Sequence, residues 1–293
     1  MITSHDRPVM TDQELQQLRR DKWRINGQPV RTLDDARSFI ESVGFCQLYP
    51  PRSSVLLPTL LGAWAGSDER LPNPQQAFAD ARAREATELM VRLLRDHGAY
   101  EANLGEESNS LLMAASVFPY FYALVGERNP RQSPKAGARA PYSQLACDAH
   151  EAIRRGGPIS KQQLLTTLGK GISGAALDRA LIELWSKLRI TRVDYHPEQG
   201  ASWDLLLRWA PEAVREGIQI SLPEAVSAIV SKYFDGMVAA ELAEVESFFG
   251  NFVSRSRIRE AVNALLAARE LSFVHVDSRT LIQIAAPKIA HRA

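Results

Sequence analysis

Two short stretches of this 293-residue chain carry residue types that could do chemistry. Ser254-Arg-Ser-Arg-Ile-Arg259 sets Arg255, Arg257 and Arg259 beside Ser254 and Ser256. A serine-bearing helix start offers backbone N–H groups and arginine offers forked donors, which is what phosphate contact needs. The second stretch, Gly169-Lys-Gly-Ile-Ser-Gly174, has the GxGxxG spacing of a dinucleotide-binding turn, with Asp194 downstream where a ribose-binding acid would stand. The residues before it, Lys161–Leu168, read as a polar helix rather than a buried strand, so these glycines are expected to form a turn between helices.

Other chemistries find no support. Cys46 and Cys147 are the only cysteines, and the six histidines show no metal-ligand spacing, so no metal and no cofactor is expected. There is no nucleophile elbow and no phosphate-binding P-loop. Lys plus Arg number 35 against 34 Asp plus Glu, so nucleic-acid binding would need a local basic face. Asp6, Asp12, Glu14 and Asp21 interrupt the first thirty residues, which reads against a signal peptide. The uncharged run Leu111–Gly126 contains Pro119 and falls short of the ~20 residues of a membrane span, so it is expected to be core. A cytoplasmic protein without membrane contact is the expectation.

The elements that must position the basic residues follow from an internal repeat. Leu177, Leu181, Leu184, Ile190 and Val193 are separated by 4, 3, 6 and 3, and so are Ile258, Val262, Leu265, Leu271 and Val274. Steps of 4 and 3 mark one face of a helix, and the step of 6 crosses its end into β-prone residues. Ser173 precedes the first helix, and Ser254 or Ser256 the second, as N-caps. Turns at His196–Gly200 and Asp277–Arg279 then lead into second strands, Trp203–Leu205 and Leu281–Ile284. Two shorter helices precede each long one: Leu145–Arg155 with Lys161–Leu168, and Pro223–Phe234 with Val238–Phe248.

Three helices and a β-hairpin make a winged helix, so the expected fold is mainly α with small β-hairpin wings, in tandem winged-helix domains. The expected boundaries are 1–144 for an N-terminal helical, winged-helix-like domain, then 145–215 and 216–293. In a winged helix the third helix can enter the DNA major groove while its start and the wing touch phosphate. Lys170, Ser173, Arg179 and Arg192 would do this in the first copy. Ser254, Arg255, Ser256, Arg257, Arg259 and the wing-tip Arg279 would do it in the second. A solvated basic face, or a protein-interaction module, is the alternative.

The N-terminal half is less regular. Thr11–Lys22 and Leu33–Val43 read as helices, the latter opened by Thr32 and Asp35 in a near capping box. A third helix is expected within Gln75–Asp96, and Phe118-Pro-Tyr-Phe-Tyr122 has the density of a core. Arg128–Pro141, with three prolines and four basic residues, reads as a linker. Between the second and third helices lies Val43-Gly-Phe-Cys-Gln47.

A helix beginning near Asp34-Asp-Ala-Arg37 and running into Val43-Gly-Phe-Cys-Gln47, ahead of tandem winged helices, resembles the YcaQ/AlkZ-type winged-helix DNA glycosylases. That family excises alkylated or crosslinked bases, and the resemblance implies winged helices arranged around a DNA channel. Its catalytic signature is Gln-x-Gln or Gln-x-Asp after a Gly-Phe pair. Gln47 falls on the first position and Leu48 on the spacer, while Tyr49 replaces the expected Gln or Asp. The resemblance makes Gln47 and Tyr49 the catalytic positions.

Hydrolysis of an N-glycosidic bond places positive charge on the sugar and needs a held water. A Gln carbonyl can orient that water, whereas a carboxylate could also stabilise the cation and accept a proton. A neutral tyrosine is a poor base at pH 7 but can stack on a flipped base. Glu101, Glu106 and Glu107 are the carboxylates that could supply the missing charge. With no lysine at the site to form a Schiff base, the implied enzyme is a monofunctional glycosylase acting on double-stranded DNA as a monomer. The alternative is a non-enzymatic winged-helix regulator or interaction module, and a regulator would dimerise on a two-fold operator.

Overall fold

The computed structural model describes residues 9–50, 56–73, 79–103, 110–137, 140–196 and 198–286. The chain opens with β1 (Val9–Met10) and α1 (Asp12–Lys22), then runs through α2 (Leu33–Val43), β2 (Phe45–Gln47), α3 (Leu60–Ala65), α4 (Ala81–Arg95), β3 (Ala99–Asn103) and β4 (Ser110–Ala114). After α5 (Phe118–Val125) come α6 (Gln144–Gly156), β5 (Ile159–Ser160), α7 (Lys161–Leu168), α8 (Gly174–Trp185), β6 (Ile190–His196) and β7 (Gly200–Leu205). Short α9 (Leu206–Trp209) and α10 (Pro211–Gln219) lead to α11 (Leu222–Met237), β8 (Ala239–Ala240), α12 (Leu242–Phe249), α13 (Arg255–Ala267), β9 (Leu271–Val276) and β10 (Arg279–Ile284). The class is mainly α with small β-sheets, as the sequence pattern implies.

One order of elements recurs: helix, short strand, helix, helix, strand, strand. It is made by α2-β2-α3-α4-β3-β4, by α6-β5-α7-α8-β6-β7 and by α11-β8-α12-α13-β9-β10. The strand orders match as well: β2-β4-β3, β5-β7-β6 and β8-β10-β9. The ten positions of the sequence repeat are all buried, which is why their spacing was kept. The first unit hides its kinship. Every residue of β3 is buried, so its sequence lacks the alternation that marks a half-buried strand.

Local chemistry sets the ends of these elements. Thr11 with Glu14, Thr32 with Asp35 and Ser160 with Gln163 form reciprocal capping boxes. Gly44 ends α2 at φ 75°, a conformation that favours glycine. Gly169 and Gly171 take φ 98° and 109° in the turn between α7 and α8, so the GxGxxG spacing belongs to a helix–helix turn.

Two packing relationships hold the units together. Phe45 of β2 meets Phe248 and Phe249 of α12 edge-on, with ring centroids 5.8 and 5.9 Å apart, so the first and third units share one core. Their backbones touch where α11 passes the end of α2: a Cβ on Gly236 would stand 2.2 Å from the Val43 carbonyl oxygen. The second unit has a separate core around Trp185 and Trp203. At the chain's start, β1 pairs in parallel with β9, and α1 holds the C-terminal end of α11. There Arg19 donates to the Met237 and Ala239 carbonyls at 3.0 and 2.6 Å, and Trp23 Nε1 to Gly236 at 2.9 Å.

The start of the proline-rich stretch, residues 128–132, is irregular but docked on the protein. Arg128 reaches the Ile220 carbonyl at 3.2 Å, and the carbonyls of Asn129, Pro130 and Gln132 receive the buried Arg189, which also pairs with Glu127 at 2.9 Å. Arg139 lies outside the described residues. No helix among the described residues is long and apolar enough to cross a membrane.

Candidate nucleic-acid interface

The tripeptide Gln47-Leu48-Tyr49 leaves the end of β2. Gln47 faces Leu111 across the sheet, and its backbone N–H donates to the Pro58 carbonyl at 3.0 Å. The residue is 4% exposed, and its Oε1 is buried with no hydrogen-bond partner among the described residues. A buried carbonyl without a partner is costly, by roughly 1–3 kcal/mol, so it marks a place for a water or a ligand group. Tyr49 is half-buried and its hydroxyl lies 3.2 Å from Thr87 Oγ1 on α4. Burial holds the Tyr49 phenol above the ordinary tyrosine range, against the Thr87 bond, which acts the other way. It is therefore neutral at pH 7.

Glu101 sits in the row Cys46–Leu112–Glu101, next to the row Gln47–Leu111–Ala102. Alternation along the strands directs Gln47 and Glu101 to opposite faces of the sheet. Glu101 is fully buried and is met by Arg192 at 3.2 Å and by the Tyr195 hydroxyl at 3.2 Å. Glu106 and Glu107 lie outside the described residues.

The candidate DNA-binding residues fall into two groups. Lys170, Arg179, Arg255 and Arg257 are exposed and form no ion pair among the described residues. Arg192, Arg259 and Arg279 are engaged in ion pairs with carboxylates of the protein. Arg192 lies over the rings of Trp185 and Trp203 at 4.2 and 5.1 Å while pairing with Glu101. Arg259 pairs with Glu246 at 2.5 Å, and Arg279 with Asp12 at 2.5 Å and Glu241 at 3.8 Å. Ser173 caps α8 by accepting from the Ala176 N–H at 3.1 Å. Ser254 stands at the N-cap of α13, but its hydroxyl meets Ser256 Oγ at 3.1 Å instead of a backbone N–H.

Two clefts open beside Tyr195. One, of about 680 Å³, lies between α8 and the β6–β7 hairpin and takes in Arg179, Trp185, Trp203 and Asn103. The other, of about 480 Å³, lies between α4 and β6 and is lined by Arg84, Thr87, Glu88, Val91, Arg92, Arg95 and Tyr195. These α4 arginines escaped the sequence reading. Their signal was present: Arg84, Arg92 and Arg95 lie on the face that α4 does not bury with Leu89, Leu93 and Leu94. Asp194 meets Arg95 at 2.6 Å. Among the described residues no three of His, Cys, Asp and Glu converge as a metal site.

The sequence profile of the family described as DNA glycosylase AlkZ-like matches residues 72–293. The matched span begins after Tyr49 and includes α4 and every element that follows it. No curated protein matches the chain. A match over most of the length settles its kinship: the chain belongs to the AlkZ-like DNA glycosylase family.

Proposed function

We propose that this protein is a monofunctional DNA glycosylase that binds double-stranded DNA as a monomer and hydrolyses the N-glycosidic bond of a damaged, extruded base. The observation that carries the reading is the buried, unpartnered Oε1 of Gln47. A carbonyl at a strand end, with no donor among the described residues, is suited to accept a hydrogen bond from the attacking water. Tyr49 cannot take the proton from that water, because its phenol is neutral. Its ring stacks on the base or lines the sugar edge.

In this reading the units 1–144, 145–215 and 216–293 are winged helices around one DNA path. Lys170, Arg179, Arg255 and Arg257 touch phosphate directly, and the helix starts at Ser173 and Ser254 face it. Arg192, Arg259 and Arg279 hold wing and helix in place for them. A DNA substrate places the work in the compartment that holds the chromosome.

The test is release of free base from a duplex carrying N7-methylguanine, with wild-type protein and with Gln47→Ala. The expected result is release by the wild type and a loss of about 10² or more in rate for the variant, the scale of a lost positioning contact. Binding without release, equal on plain and abasic duplex, would leave a DNA-binding module and overturn the enzymatic reading.

A further inference from the structure

We infer that the face of α4 carrying Arg84, Arg92 and Arg95 is a seat for the phosphodiester backbone of duplex DNA, and that Asp194 competes with the backbone for Arg95. The inference rests on the DNA-binding reading above and adds a surface outside the residues assigned there.

Arg84 and Arg92 are exposed, line the same cleft and form no ion pair among the described residues. Glu88 stands one turn from each, also without an ion pair, so the cleft holds two unneutralised guanidinium groups against one carboxylate. Arg95 adds a third cation, held by Asp194 from the neighbouring β6 at 2.6 Å. The protein as a whole is near neutral, so this local surplus is not a consequence of bulk charge. Along a helix, the eight rises from Arg84 to Arg92 span about 12 Å. At ~3.4 Å of axis per nucleotide of one strand, that length covers three to four phosphates.

The position of the seat bears on the chemistry. Thr87, on its floor, is the residue that holds the Tyr49 hydroxyl. A strand laid along Arg84 and Arg92 therefore runs beside the tripeptide. In the repeating unit α4 is the third helix, the element that α8 and α13 supply in the other two units. The Asp194 carboxylate bridges from the second unit's wing to this helix. A phosphate arriving at Arg95 must displace it, so the ion pair lowers affinity and is exchanged on binding.

The experiment is a fluorescence-anisotropy titration of a labelled plain duplex from roughly 50 to 200 mM salt. It compares wild type, Arg84→Gln/Arg92→Gln, Arg255→Ala/Arg257→Ala and Asp194→Asn. The amide of Asp194→Asn keeps an acceptor for the Tyr195 N–H, now bonded at 2.7 Å, while removing the charge. The α4 pair is expected to weaken binding by about tenfold or more near ~100 mM salt and to reduce the log–log salt slope by about 2. Asp194→Asn is expected to tighten binding a few-fold, roughly, and to steepen the slope by about 1. If the α4 pair leaves affinity and slope unchanged while the wild type binds, the seat is refuted and the DNA reading stands. If the wild type binds no duplex, both are refuted. If only Asp194→Asn is silent, the competition at Arg95 is refuted. Unchanged melting of each variant, expected for exposed arginines and for an Asn that keeps the Asp194 acceptor, assigns these results to binding rather than to folding.

Discussion

Tyr49 gives its hydroxyl proton to Thr87, because Thr87 has already committed its own to the Ala83 carbonyl at 2.7 Å. Each hydroxyl has a single proton, so the direction of the 3.2 Å bond is set by the chain of donors. A phenol in that role is anchored and protonated. Tyr49→Phe should therefore cost about 1 kcal/mol of stability, the ordinary worth of one such bond, and leave base release within about twofold of wild type. Urea unfolding and the release assay read the two effects separately. A large loss of rate with unchanged stability would mean that the hydroxyl takes part in the reaction.

Glu101 and Arg192 bind the first unit to the second. Removing Arg192 strands a buried carboxylate, and breaking a buried pair from one side typically costs about 3–5 kcal/mol. Arg192→Met should thus lower the urea midpoint severely. The double variant Glu101→Gln/Arg192→Met should recover most of the loss, since it leaves no lone charge. Equal midpoints for the single and double variants would show that ring stacking on Trp185 and Trp203, not charge, is what Arg192 contributes.

His150 is buried on α6, and burial first, with Arg189 nearby, pulls its pKa down to about 4. The native state keeps the imidazole neutral, whereas the unfolded chain protonates it near ~6.5. Between those values the unfolded state binds the extra proton, so stability falls as pH drops from about 6.5 through about 4. The full loss from this group approaches ~3 kcal/mol at the acid end of that window. His150→Gln should flatten the stability profile there. The hydrogen bond from Arg154, foremost, holds Glu151 at about 2, so its loss of stability lies at lower pH, below the free carboxylate value.

On α13 the arginines divide by surroundings. Arg255→Ala with Arg257→Ala should weaken DNA binding and reduce the salt slope by about 2, leaving the melting temperature in place. Arg259→Ala should instead act on stability, by up to about 1 kcal/mol, because the pair with Glu246 is partly exposed. Reversal of that pattern, with Arg259 dominating affinity, would mean that the Glu246 pair opens on DNA.

The second and third units were legible because their long helices bury one stripe and β-prone residues with a turn follow, so periodicity and caps agreed. Ser173, Gly169 and Gly171 all fall where the pattern put them. The first unit was not legible as a third copy. Its strands are buried on both faces, and two proline-rich stretches, around Pro51 and Pro74, interrupt the helical periods. The engagement of Arg192, Arg259 and Arg279 was also out of reach, because Glu101, Glu246 and Asp12 are distant in sequence and chosen by packing. The α4 cleft was missed for the same reason: its opposite wall, Tyr195 and Asp194, belongs to another unit.

The parallel pairing of β1 with β9 has a consequence for synthesis. Asp12 N–H donates to the Asp277 carboxylate at 3.2 Å across a sequence separation of 265, so the first strand made is completed by nearly the last. During translation β1 and α1 wait in the open while α11, whose C-terminal end they cover, has yet to leave the ribosome. Loop closure over that span is slow, and the unpaired β1 edge is an aggregation hazard in the interval. The completion of this sheet is thus a late, ring-closing event: a nascent chain stopped before β9 would hold every helix described above and lack only the β9–β10 hairpin that β1 joins.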